Sequence, residues 1–165
     1  MKKVDLNIMS NYVILFCQNM GVTITPLKLQ KILYYIQAWH IAKFEKESLF
    51  DTLPEAWVNG PVYRQIYNQY KGSFFKNANI QATLDEDGLA QALMAKQSEM
   101  DLDEKQLTLV NAVLDAYSKL SDERLVLMTH SEDPWTEIRK NLSPIERSDK
   151  KLSVDTIYNY FNRRK

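Results

Sequence analysis

The side chains best suited to metal binding or covalent chemistry are few in this chain: one cysteine, Cys17, and two histidines, His40 and His130. A structural zinc site needs four ligands, usually Cys and His and often in close pairs, so no metal site is expected. The four glycines, Gly21, Gly60, Gly72 and Gly88, each fall at a helix end or turn. None belongs to a phosphate-binding loop, and no cofactor is expected. Cys17 lies inside an apolar helical pattern, where a free thiol behaves as a small hydrophobe. His40 falls on the apolar face of a predicted helix and reads as a hydrogen-bonded core histidine. His130 follows Met128-Thr129 and precedes Ser131-Glu132-Asp133-Pro134-Trp135, a setting in which its ring meets helix-end carbonyls or stacks near Trp135. Glu132 or Asp133 could orient that imidazole as a general base. With no nucleophile placed nearby, a hydrolase ranks behind the binding functions below, and no catalytic residue is assigned.

Recognition chemistry has a richer vocabulary. Nine tyrosines occur, and Tyr, Trp and Arg are the residues most enriched at binding hot spots. On a helical wheel Gln30, Tyr34, Gln37 and Ile41 form one stripe, at spacings of four, three and four residues. A fully buried helix holds such polar groups only with partners, so this stripe is expected to reach the surface. Lys28 and Lys31 border it, and Tyr63, Arg64 and Tyr67 extend it. These eight residues, Lys28, Gln30, Lys31, Tyr34, Gln37, Tyr63, Arg64 and Tyr67, form the expected partner-binding surface.

The elements that position these residues follow from local signals. Asp5 caps a first helix ending at Gly21, and Thr25-Pro26 opens a long helix to about residue 44. Leu29, Ile32, Leu33, Ile36 and His40 share one face of this helix, with Trp39 on its flank, and apolar side chains over most of its circumference make it the central helix. Residues 48–58 read as a small β-hairpin or ribbon. Pro61 is expected to open the next helix, closed by Gly72. A strand is expected near 79–84, before a turn at Asp85-Glu86-Asp87-Gly88. Asp103, Ser121, Asp133-Pro134 and Ser153 begin the remaining helices. The expected fold is mainly α (α+β): about six to seven helices around a central helix, with the small ribbon beside it.

Composition narrows the function classes. The chain is 45% hydrophobic and 25% charged, as ordinary globular proteins are. No stretch suits a membrane span, and Lys2-Lys3 before Val4-Asp5 does not resemble a secretory leader, so a cytoplasmic protein without membrane contact is expected. Its 21 basic and 21 acidic residues cancel, removing the global footprint of a nucleic-acid binder. Locally, residues 85–104 are acidic and residues 139–165 basic. The basic segment, with Tyr158, Tyr160 and Phe161, keeps a nucleic-acid-binding regulator as the main alternative.

Four segments carry a family resemblance: Leu27 to His40 (LKLQKILYYIQAWH), Glu55 to Tyr67 (EAWVNGPVYRQIY), Met128 to Trp135 (MTHSEDPW) and Ile157 to Phe161 (IYNYF). In this order they resemble the Panacea domain of SocA-like antitoxins, with Leu29, Leu33, Trp39, His40, Trp57, Gly60, Pro61, His130, Pro134 and Trp135 as its structural motif positions; Trp57 is expected in the core, where with Gly60 and Pro61 it joins the ribbon to the tyrosine-bearing helix. Asn59 and Ile138 depart from the pattern, which has a larger residue before the Gly-Pro and a smaller one after the tryptophan. The resemblance implies a domain that binds a cognate toxin protein and blocks it, or an adaptor that delivers the toxin to a protease or its unfoldase. A homo-oligomer is compatible with either mode. The chain begins almost directly at the domain and leaves no room for the helix-turn-helix that some relatives carry, so one domain over 1–165 and no operator binding are expected.

Overall fold

The computed structural model describes every residue except 75–77, 83 and 85. Its elements in chain order are α1 (Leu6–Asn19), α2 (Pro26–Lys43), β1 (Glu55–Trp57), β2 (Gly60–Val62), α3 (Arg64–Phe74), α4 (Glu86–Met100), α5 (Glu104–Tyr117), α6 (Asp122–His130), α7 (Asp133–Arg139) and α8 (Val154–Asn162). The fold is mainly helical with one small antiparallel hairpin. Helix α2 is its axis: α1, α3, α5, α6, α8 and β2 all pack on it, and fifteen of its eighteen residues are buried.

Helix starts follow local chemistry. The side chains of Asp5, Thr25, Asp103, Ser121 and Ser153 each accept a backbone N–H in the first turn of α1, α2, α5, α6 and α8, satisfying donors that the helix itself leaves open. Asp103 and Gln106 complete a reciprocal capping box. Thr25 also donates to Asp122 Oδ2 at 2.6 Å, which ties the starts of α2 and α6 together.

Two segments differ from the sequence reading. The hairpin occupies 55–62 rather than 48–58, with register Glu55↔Val62, Ala56↔Pro61 and Trp57↔Gly60. Pro61 is therefore a strand residue, and the helix that follows begins three residues later, at Arg64. The register explains the tolerance. Ala56 N–H donates to Lys150 O at 2.8 Å and its carbonyl accepts from Arg139 Nη1 at 2.9 Å, so Ala56 points both groups away from β2. Ala56↔Pro61 is then the non-hydrogen-bonded pair, and the missing proline N–H costs no ladder bond. The second difference is at 79–84, where the described residues form no strand, with Thr83 and Asp85 outside them. Asn79 Oδ1 instead accepts from Ile24 N–H, and Ala82 exchanges two hydrogen bonds with the Gln18 side-chain amide. Glu86 to Gly88, expected as a turn, open α4.

Residues 140–152 pass along the outer edge of β1 as a strap. Glu55 bridges Lys151, and Leu152 N–H donates to Pro54 O at 2.9 Å. Arg139 pins the strap by donating to Ser143 O and Glu146 O as well as Ala56 O. The strap covers an edge that would otherwise carry unpaired backbone groups.

Gly60 is fixed by both conformation and space. Its φ is +109°, and a Cβ there would lie 2.8 Å from Thr129 Oγ1 and 3.0 Å from the Lys31 Cε and Nζ atoms. Gly60→Ala is expected to lower unfolding free energy by about 1–3 kcal/mol, the scale of a strained backbone residue. Urea denaturation measures it, and an unchanged midpoint contradicts the assigned packing.

Candidate partner-binding site at the hairpin

The polar residues of α2 do not form a surface stripe. Gln30, Lys31, Tyr34, Gln37 and Ile41 are all 0% exposed, and Lys28 and Tyr63 are buried too. The physical reason is that this face is matched to non-helical backbone. Gln30 Oε1 accepts from Tyr63 N–H at 2.8 Å while its Nε2 donates to Tyr63 O at 3.1 Å. Gln37 Oε1 accepts from Leu49 and Phe50 N–H at 2.7 and 3.2 Å, and its Nε2 donates to Thr52 O at 3.3 Å. Lys31 Nζ donates to Pro61 O at 3.0 Å. Each side chain supplies the partner that sheet or helix neighbours would otherwise give to buried backbone. Of the expected surface, Arg64 is exposed and Tyr67 half-buried.

The His130 to Trp135 segment clamps the hairpin from a second side. Trp135 Nε1 donates to Trp57 O at 2.7 Å. The His130 ring stacks on Trp135 with centroids 4.1 Å apart and planes 4° from parallel, and the Arg139 guanidinium sits 5.3 Å from the Trp135 ring. Burial and the nearby cations Lys31 and Arg139 hold the His130 pKa below its ordinary value. The carbonyls at the end of α6 are met by Ser131, whose N–H and Oγ both reach Met128 O, rather than by His130. Pro134, buried at the first turn of α7, sets the direction of that helix.

Glu132 turns inward, where Tyr34 and Tyr35 hydroxyls donate to its two oxygens at 3.0 and 2.8 Å. Burial raises its pKa to about 7 against those two bonds. It does not orient His130, and Asp133 pairs with Arg163 at 3.3 Å. The two carboxylates expected to orient His130 are thus directed elsewhere. His40 binds Glu47 O through Nδ1 at 2.7 Å and Gln106 Nε2 through its own Nε2 at 3.0 Å. That pair of partners assigns the proton to Nδ1, because the amide nitrogen can only donate. Burial pushes the Cys17 thiol up to about 11, which leaves it un-ionised near neutrality. Among the described residues no group of three or more Cys, His or acidic side chains could hold a metal, and no helix is long and apolar enough to cross a membrane.

The aromatic residues of the basic C-terminal segment are also committed internally. Ile157 and Phe161 are buried, Tyr158 donates to Glu45, Lys46 lies 5.3 Å from the Tyr158 ring, and Arg164 lies 3.5 Å from the Tyr160 ring. Trp39, half-buried, joins the same aromatic group through Tyr117 Oη and Phe161, while Leu29 and Leu33 are fully buried beneath it in the core.

What the clamped hairpin presents outward is a groove of about 780 Å³, lined by Trp57, Asn59, Arg64 and Tyr67 and by Arg147 and Asp149 of the strap. Trp57, expected in the core, is half-buried on this wall. Its indole N–H donates to Glu55 at 3.0 Å, Tyr67 meets it edge-on at 4.8 Å, and the Arg64 guanidinium lies 5.2 Å from its ring. Arg64 in turn donates to both Glu55 oxygens, at 2.8 and 3.0 Å. Burial pushes the Glu55 carboxyl up, but Arg64, Trp57 and Lys151 together outweigh it and hold the group below its ordinary value. The signal for this site was present in the sequence as Trp57, Arg64 and Tyr67. Arg147 and Asp149, brought in by the strap, had none.

This is a helical domain in which α2 and the His130–Trp135 segment converge on a displayed hairpin. Family comparison matches residues 29–136 to the family described as Antitoxin SocA-like, Panacea domain. That span exceeds half of the chain, and the chain belongs to this family. It takes in α2, the hairpin and the His130–Trp135 segment, and ends before Ile157–Phe161. Comparison with curated proteins and with solved structures gives no match.

Two buried ionisable groups give the clamp a pH signature. Burial lowers the Lys31 pKa from 10.5 to about 7 and raises that of Glu132 from 4.5 to about 7. Between about pH 7 and 10.5 the unfolded chain holds a proton on Lys31 that the folded chain lacks, so its contribution to stability grows with pH and is lost as pH falls through 7. Between 4.5 and about 7 the folded chain holds the extra proton on Glu132, so that contribution shrinks as pH rises. Urea melts from pH 5 to 9 are expected to show wild type losing stability relative to Glu132→Gln in the lower half, and gaining relative to Lys31→Met in the upper half. Parallel curves for all three proteins contradict the burial of these groups.

Proposed function

We propose that this protein is a cytoplasmic antitoxin that neutralises a cognate toxin protein by direct binding, as one domain spanning 1–165 and without a catalytic step of its own. Family membership supports the class. The observation that carries the mode of action is the partly exposed Trp57–Arg64–Tyr67 cluster where the hairpin meets the start of α3. Aromatic and arginine side chains at the centre of a patch are the usual anchors of protein–protein interfaces. Of the residues first expected to touch the partner, Arg64 and Tyr67 remain in that role. Gln30, Lys31 and Gln37 act indirectly, by holding the backbone that leads into and out of the hairpin, while Lys28, Tyr34 and Tyr63 are buried in the framework.

Co-expression with the product of the adjacent open reading frame tests this reading. The wild-type chain is expected to restore growth and to copurify with that product. Tyr67→Ala, with its melting temperature kept within a few degrees of wild type, is expected to lose at least tenfold in affinity, about 1.4 kcal/mol or more. Toxin that disappears instead of accumulating in complex marks the protease-adaptor mode. Unimpaired rescue by a folded Tyr67→Ala variant contradicts the assignment of this surface.

A further inference from the structure

Resting on the antitoxin reading, the geometry points to the chemistry of the segment that the groove accepts: an acidic stretch of a partner protein that sets an apolar side chain against Trp57 and Tyr67 and a carboxylate against Arg147. Glu55 is already saturated, since both of its oxygens accept from Arg64 and one also from Trp57. Asp149 lies close enough to Arg64 to raise its pKa, after the larger effect of Glu55. Arg147 is different: it is exposed, it lines the groove, and it makes no hydrogen bond or ion pair among the described residues. Lys150 and Lys151, also exposed, follow it on the strap. An open guanidinium offers the paired donors that a carboxylate accepts.

A second observation places an apolar contact beside it. Ile145, two residues before Arg147 on the strap, is 84% exposed, the highest value of any exposed large apolar residue described. An aliphatic side chain held out on the same pinned strap as an unpaired arginine matches the mixed apolar and charged make-up of a protein interface. A nucleic acid fits less well, because the chain carries no net charge to supply the non-specific attraction that a continuous phosphate backbone needs.

The test is an NMR titration of the full ¹⁵N-labelled chain with three probes: the peptide Ac-Glu-Asp-Trp-Glu-NH2, its neutral counterpart Ac-Gln-Asn-Trp-Gln-NH2, and a twelve-nucleotide oligothymidylate. The acidic peptide is expected to shift the Trp57 indole, the Arg64 side chain and the backbone of 147–149. Its affinity is expected to exceed that of the neutral peptide at least fivefold and to fall at least tenfold in Arg147→Glu. That variant replaces an exposed, unpartnered side chain and is expected to melt as wild type does. Equal affinity for both peptides, shifts confined to other surfaces, or equal binding of oligothymidylate overturns the proposal. The same variant in the growth assay separates the two readings. Rescue by Arg147→Glu with no peptide binding to wild type discards the acidic-segment proposal and leaves the antitoxin reading standing. Groove binding without any rescue by wild type does the reverse.

Discussion

The structure depends on the pairing between amide and amine side chains of α2 and the irregular backbone from Leu49 to Tyr63. That stretch is buried at Leu49, Phe50, Pro54 to Ala56 and Gly60 to Tyr63 but is neither helix nor sheet for most of its length, so its N–H and C=O groups have few regular partners. Leaving one such group unsatisfied costs about 1–3 kcal/mol, against a total stability of about 5–15 kcal/mol. Gln30, Lys31 and Gln37 remove several such costs at once by reaching the chain at Tyr63, Pro61 and Leu49 to Thr52. A helix with polar groups in its buried stripe is thereby more specific than an apolar one, since only one register of the facing segment satisfies it.

From this constraint the display of the hairpin follows. Lys31 and Gln30 hold β2 and its exit from the inside, Trp135 and Arg139 hold β1, and Arg139 also ties the strap to the outer edge. Gly60 permits the close approach of Lys31 and Thr129. With both strands fixed, Trp57, Asn59 and the start of α3 are set at the surface on a rigid base. Rigid aromatic and arginine anchors bind with less loss of side-chain freedom than flexible ones. The motif residues that look like a catalytic vocabulary, His130, Glu132 and His40, are absorbed in the same framework.

Local chemistry was legible in the sequence and tertiary pairing was not. Asp5, Thr25-Pro26, Asp103, Ser121 and Ser153 announced helix starts because a cap is a contact between near neighbours. The central role of α2 followed from its apolar circumference. Pro61 misled because proline suits both a first helical turn and an outward strand position, and only the Ala56 pairing decides between them. Asp85-Glu86-Asp87-Gly88 combined turn residues that also suit a helix start. The glutamines of α2 were read as surface because their partners lie 12 to 33 residues away in the chain. In the candidate site, Arg64 and Tyr67 are the two expected partner-surface residues that reach solvent. Trp57 was read as core, since nothing local tells a covered indole from one with an open edge, and Arg147 arrives only through the strap.

Backbone hydrogen exchange, read residue by residue on the free protein and on a complex with the proposed toxin partner, tests the central claim most directly. The account predicts that α2, together with the amides of Leu49, Phe50 and Tyr63, exchanges only through global unfolding in the free chain. New protection in the complex is then confined to residues 57–67 and 145–149. Fast exchange along α2 in the free protein, with protection gained there on toxin binding, would contradict it and return the polar face of the central helix to the role of partner surface.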